Sequence, residues 1–256
     1  SAPPGTIPVT LLSGFLGAGK TTLLRRILAD PRGVRYGVLV NDFGAINIDA
    51  ELVVSTGADQ VSLANGCVCC TIRDDLVAAV ERLLALDPAP EHLLVETSGV
   101  SRPIAVIDAL LDPALGGRVA IDGVFCLVDG AGFGTLDYAA TELAIEQASA
   151  ADVVVLNKCD IASPNDLAAA EATLRSVLPA MRLLPTRFAE VPREVLFGFE
   201  GEDRPARPRE RHGHGAGEGH DHAHDHGAEF ESWSWRSEAP LDRDAFRAAL
   251  RRLPPT

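Results

Sequence analysis

The segment Gly14-Phe15-Leu16-Gly17-Ala18-Gly19-Lys20-Thr21 has the spacing of a phosphate-binding loop: a glycine, four residues, then Gly-Lys-Thr. Its glycines and Ala18 let successive backbone N–H groups turn inward around phosphate oxygens. Lys20 is expected to reach the β- and γ-phosphates, the Thr21 hydroxyl to bind Mg²⁺, and Thr22 to reach the α-phosphate. Only Lys20 and Lys158 among the 23 basic residues are lysines, the rest being arginine. Each lysine therefore calls for a reason, and a compact point charge among phosphates is one.

Asn157-Lys158-Cys159-Asp160 supplies the other lysine. A carboxylate at Asp160 can accept from guanine N1–H and N2–H₂ together, a donor pair that adenine lacks. The Lys158 stem would lie along the base and Asn157 would fasten this turn to the phosphate loop. Glu96 and Gly99, in Glu96-Thr97-Ser98-Gly99, follow an apolar run. Glu96 is placed to hold a Mg²⁺-bound water or to orient the attacking water, and Gly99 to bring its N–H to the γ-phosphate. The plainer role for Glu96 is a helix cap. Asp42 and Asp49, with the loop between them, form the first switch candidate, and Asp49 is the stronger partner for Mg²⁺ or water.

Cys67, Cys69 and Cys70 place three thiols in four residues ahead of a helix. Three thiolates can fill three corners of a tetrahedral Zn²⁺ site, and the same soft set admits Cu(I) or Co²⁺. Cys126 and Cys159 read as buried single residues. His212, His214, His220, His222, His224 and His226 form an interspersed tract among Gly and Asp, suited to weak, multivalent metal collection. His92 precedes a strand and reads as structural.

The elements that must position these residues alternate in kind. Strands are expected at residues 7–12, Tyr36–Val40, Gln60–Leu63, His92–Val95, Val119–Val128, Asp152–Leu156 and Arg182–Leu184. Helices are expected at Lys20–Ala29, Arg73–Leu86, Ile104–Leu111, Thr141–Ala150 and Pro164–Leu178, with a long loop over residues 44–59. Continuously apolar strands separated by helices predict an α/β fold, a mostly parallel sheet with helices on both faces. Residues 1–199 are expected to form this P-loop domain. Residues 200–229, with almost no apolar side chain, read as a His-rich disordered linker. Residues 230–256, with a strand at Phe230–Trp235 and a helix at Leu241–Leu253, read as the start of a truncated C-terminal α+β domain. The chain has no initiator Met, its single Met being Met181, so both ends predict a trimmed chain.

A formal net charge of −13 over 256 residues argues against general nucleic-acid binding. No apolar run is long enough to span a bilayer, and the first eight residues carry no secretory pattern. Five cysteines, three of them clustered, predict metal or thiol chemistry in a reducing compartment, the cytoplasm, rather than a disulfide framework.

Taken in order, Gly14–Thr22, Asn41-Asp42-Phe43-Gly44, Gly66–Cys70, Glu96–Gly99, Asn157–Asp160 and the His tract resemble the CobW-like P-loop GTPases. These are metal-chaperone relatives of the urease and hydrogenase nickel-insertion GTPases. The resemblance spans residues 7–235, and Cys-x-Cys-Cys is its most specific element. It implies GTP hydrolysis coupled to delivery of Zn²⁺ (or Co²⁺) to a client protein, with GTP and Mg²⁺ as cofactors. Some members carry Glu after the switch motif, where this chain has Ala45, and a metal site using that carboxylate does not transfer. A metal buffer with a regulatory nucleotide site is one alternative, and a P-loop phosphotransferase or ATPase with structural cysteines is another. A homodimer stays open.

Overall fold

The computed structural model describes residues 5–40, 59–62 and 71–197. Seven strands form one sheet: β1 Ile7–Gly14, β2 Tyr36–Val40, β3 Asp59–Ser62, β4 His92–Glu96, β5 Val119–Asp129, β6 Val153–Asn157 and β7 Leu183–Pro185. Their order is β3-β2-β4-β1-β5-β6-β7, and every neighbouring pair is parallel. The helices between them are α1 Lys20–Ala29, α2 Thr71–Leu84, α3 Pro103–Leu110, α4 Tyr138–Ser149, α5 Pro164–Val177 and α6 Arg193–Phe197.

Both faces of the sheet are covered over β1, β2, β4, β5 and β6, which is why these strands are apolar at their centres. On one face Leu23, Leu24, Ile27 and Leu28 of α1 and Leu196 of α6 pack on Leu12, Val38, Leu94, Phe125 and Val155. On the other, α2 and α3 cover Leu11, Leu39 and Val95, while α4 and α5 cover Cys126, Val128, Val154 and Leu156. The connection from β1 through α1 runs to one side, whereas those after β4 run to the other over the opposite face. The reversal falls at β1, and ligands of open α/β sheets bind in the crevice beyond the strand ends at such a point. The phosphate loop begins there.

Local chemistry sets the element ends. β1 extends through Gly14, two residues beyond the expected strand, because it pairs with β5 as far as Leu127. α4 starts at Tyr138 rather than Thr141, since the Asp137 side chain accepts from the Ala140 N–H at 2.8 Å and caps the helix there. Ser163 and Asp166 form a capping box ahead of Pro164, which starts α5. The short α6 was not anticipated: a single turn is too brief to show a period. Among the described residues no helix is long and apolar enough to cross a membrane.

Candidate nucleotide site

Three chain segments meet at the carboxyl ends of β1, β4 and β6. The first is the loop from Gly14 to Lys20. Gly14 has φ +131°, and a Cβ there would lie 2.1 Å from the Leu127 carbonyl oxygen, so only glycine lets β1 turn off the sheet at this point. The N-cap of α1 is Gly19, with no side chain capping the first turn, so the first-turn amides face the crevice without a competing side-chain acceptor. Lys20 is buried, with 7% of the residue exposed. Its ammonium donates to the carbonyls of Gly14 at 2.8 Å and Phe15 at 3.2 Å. The loop thus encloses its own cation, an arrangement in which an incoming phosphate can replace carbonyl partners.

The second segment is Glu96–Gly99. Glu96 ends β4 beside Leu12 of β1 and is buried. The Thr21 hydroxyl donates to Glu96 Oε1 at 2.6 Å. A hydroxyl and a carboxylate in contact beside a phosphate loop form a hard oxygen pair, which suits Mg²⁺ better than a soft metal. The Thr97 N–H donates to the Leu12 carbonyl at 2.9 Å, extending the ladder past the strand. Gly99 then passes directly beneath the phosphate loop: a Cβ on it would sit 2.8 Å from the Leu16 backbone nitrogen. Glycine is required there by close approach rather than by an unusual φ.

The third segment carries Asn157, Lys158 and Asp160. Asn157 is buried, and its amide nitrogen donates to the Ala18 carbonyl at 2.9 Å. Its oxygen accepts from the Ala189 N–H at 2.8 Å and from the Thr186 hydroxyl at 3.3 Å. One carboxamide therefore joins the phosphate loop, the end of β6 and the segment after β7. Lys158 sits at φ +63°, and its ammonium meets Asp129 Oδ2 at 2.6 Å. Asp129 Oδ1 in turn accepts from the N–H groups of Ala131 and Gly132, both at 3.0 Å. Asp160 is exposed at the rim.

Four residues of this region escaped the sequence reading. Asp129 is the last residue of β5, one past the expected strand end, and it fixes Lys158. Thr186 and Ala189 follow β7 and are bonded to the start of Asp160's turn, with the Cys159 N–H donating to the Thr186 carbonyl at 3.0 Å. A strand at Arg182–Leu184 was expected, and the rule that ligands gather at carboxyl ends would have pointed to both. Gln147 lies inside α4 and carried no signal in the sequence.

Cys126 is buried on β5, and burial pushes its thiol up to about 12, which leaves it inert. Cys159 donates to the Leu156 carbonyl at 3.2 Å. Asp42, Asp49, Cys67, Cys69, Cys70, residues 44–58 of the expected loop, the His tract and the elements expected within 230–256 lie outside the described residues, while Asp59, expected in that loop, opens β3. Among the described residues no three His, Cys, Asp or Glu side chains cluster as a metal site.

Residues 8–185 match the family model described as CobW/HypB/UreG, nucleotide-binding domain. A zinc chaperone CobW from Sinorhizobium sp is 35% identical over 192 residues, covering 64% of this chain and 54% of the relative. A zinc-regulated GTPase metalloprotein activator 1 from Schizosaccharomyces pombe is 31% identical over 192 residues, covering 72% and 47%. A crystal structure of a Zn(II)-bound triple mutant of the YjiA GTPase superposes with a TM-score of 0.59 at 27% identity, covering 75% of this chain and 61% of that one. The chain spans about half the length of the curated relatives it matches.

Proposed function

Because the chain belongs to the CobW/HypB/UreG nucleotide-binding family, we propose that it binds and hydrolyses GTP and uses the nucleotide cycle to deliver Zn²⁺ to a metal-requiring client protein. The observation that carries the nucleotide half is that the enclosed Lys20 ammonium and the Thr21–Glu96 pair both stand at the reversal point of the sheet. The inward amides of Gly14–Gly19 and the first turn of α1 bind the phosphates. Lys20 leaves the Gly14 and Phe15 carbonyls for the β- and γ-phosphates, and Thr22 meets the α-phosphate. Thr21 would hold Mg²⁺ directly and Glu96 through a bound water, and the ion would supply neutralisation of charge on the phosphates. Glu96 and Asp49 orient the attacking water, and the Gly99 N–H faces the γ-phosphate. Asp160 reads guanine, Lys158 lies along the base with its head fixed by Asp129, and Asn157 keeps the base turn on the phosphate loop.

The metal half rests on the sequence. Cys67, Cys69 and Cys70 bind the cargo as thiolates, Zn²⁺ foremost and Co²⁺ as a second metal that the donor set accepts. The names of the relatives support zinc. The segment from Asn41 to Cys70 starts at the end of β2 and finishes at the thiols. A switch ordered by the γ-phosphate and released on hydrolysis would couple the two sites. The protein acts in the cytoplasm. Competitive Zn²⁺ titration with GDP or a non-hydrolysable GTP analogue, in wild type and Cys69→Ser, tests the coupling. Zinc is expected to bind about 5- to 150-fold more tightly in the analogue state, and GTP to bind correspondingly better with zinc. Cys69→Ser should abolish that difference. Equal wild-type affinities in the two nucleotide states would overturn the coupling.

A further inference from the structure

Gln147 is fully buried, inside a helix, and outside every motif of the nucleotide site. Its side-chain nitrogen donates to the Gly99 carbonyl at 3.0 Å and to the Ser101 carbonyl at 3.0 Å. Both N–H bonds of one carboxamide are thus spent on one turn. The opposite orientation would set Oε1 against two carbonyl oxygens, so the orientation is dictated by the turn. Oε1 has no hydrogen-bond partner among the described residues, so burying the carboxamide leaves an acceptor unsatisfied. A leucine or methionine would bury as well without that cost. The neighbouring Glu146 meets Arg102 at 3.5 Å, so two successive residues of α4 hold the segment between β4 and α3 from outside and inside.

The position of this turn matters because Gly99 touches the phosphate loop. Its would-be Cβ lies within 2.8 Å of the Leu16 nitrogen, so a shift of a few tenths of an ångström at Gly99 changes the gap between its amide and the loop. The two hydrogen bonds fix the carbonyls of residues 99 and 101, and with them the 99–100 and 101–102 peptide planes at either end of the turn.

We propose that Gln147 is a positioning residue for GTP hydrolysis, holding the Gly99–Ser101 turn beneath the phosphate loop so that the Gly99 N–H is set for the γ-phosphate. This rests on the reading of Gly99 given above. It makes α4 a rigid support whose contribution is specific to the triphosphate, since the diphosphate has no group at that amide.

The test uses the full chain with Gln147→Met, which keeps length and burial but removes both donors. A second variant, Gln147→Glu, keeps length and polarity but turns oxygen toward the two carbonyls. GDP affinity is expected to stay within about twofold of wild type, while affinity for a non-hydrolysable GTP analogue and kcat each fall by about tenfold or more, Gln147→Glu being the worse. Thermal unfolding checks that each variant is folded, and Gln147→Glu decides if Gln147→Met is not. GDP and analogue affinities falling together, or neither changing, would overturn the positioning role. Gly99→Ala separates this from the parent reading. If it leaves the ratio of analogue to GDP affinity intact, the assignment of Gly99 itself fails. If it lowers that ratio and the Gln147 variants do not, only the role of Gln147 fails.

Discussion

At the scale of single residues, the nucleotide site is built by side chains that hold backbone rather than by side chains that react. Asn157 uses its amide nitrogen on Ala18 and its oxygen on Ala189 and Thr186. Lys158 is tied to Asp129. What remains turned outward on the base turn is Asp160, and the choice of purine should therefore rest on its carboxylate. Asp160→Asn replaces an acceptor pair with one acceptor and one donor. Guanine loses a complementary partner, while xanthine, with a carbonyl where guanine carries its amino group, gains one. The expected result is a loss of GTP affinity of about tenfold or more, with xanthosine triphosphate binding improved relative to wild type. Calorimetry with the two nucleotides reads this directly. Unchanged GTP binding would remove Asp160 from base recognition. An exposed carboxylate has no core role, so no stability change should accompany the switch.

At the scale of elements, the end of the sheet opposite the nucleotide is closed by one buried histidine. His92 Nε2 lies 2.8 Å from the Thr10 hydroxyl on β1, and the ring stands edge-on to Tyr36 on β2 and to Phe197 on α6. Arg193 of α6 lies over the Phe197 ring and donates to the Tyr36 hydroxyl at 2.7 Å. Burial first, and the Arg193 cation second, push the His92 imidazole down to about 4. The folded state thus binds fewer protons than the unfolded chain between pH 4 and 6.5. Its stabilising contribution is complete above about pH 6.5 and is lost as pH falls toward 4, at most on the order of 3 kcal/mol. Urea unfolding from pH 4 to 7 should show this slope in wild type and a shallower one in His92→Leu. The difference between the two curves isolates His92 from the carboxylates, which titrate in the same range. Parallel curves would show that the ring is free to protonate in place.

The same element-level view explains what could be read in advance. The centres of β2, β4, β5 and β6 are runs of three or more apolar residues, and strands covered on both faces leave no other pattern for them, whereas β3 (Asp-Gln-Val-Ser) holds a single apolar residue. The phosphate loop and the Asn157–Asp160 turn declare themselves by residue type, because glycine, lysine and aspartate are there for reasons that neighbours cannot supply. Asp129, Thr186 and Ala189 make contacts set by tertiary approach, Asp129 through its side chain and Ala189 through its backbone N–H, which leave no local signature. Gln147 looks like an ordinary polar residue of a helix until α4 is laid against the turn after β4. α6 is anchored by Arg193 on Asp30 and Tyr36, partners far away in sequence.

For the whole molecule, the metal chemistry proposed above falls to clustered thiols and a His tract, both outside the described residues. If the tract serves by raising local metal concentration, deleting His212–His226 should lower the number of Zn²⁺ ions bound while one tight site persists. Equilibrium dialysis against a chelator of known affinity measures both quantities. Loss of the tightest site on deletion would make a tract histidine a primary ligand instead. The P-loop domain should retain its unfolding midpoint in that variant, since three apolar clusters are built from the sheet and its helices.

Cys126 offers a handle on the molecule's energetics. It sits in the middle of β5, paired with Ser13 on one side and Val154 on the other, under the cover of α4. Its thiol is kept protonated and shut away from solvent. A disulfide reagent can reach it only when the centre of the sheet comes apart. The slow phase of thiol labelling in native buffer then becomes a clock for that opening. The spacing between clock rates with GDP, with a GTP analogue and without nucleotide would report how much of the ligand's binding energy is transmitted to the centre of the sheet, without any denaturant.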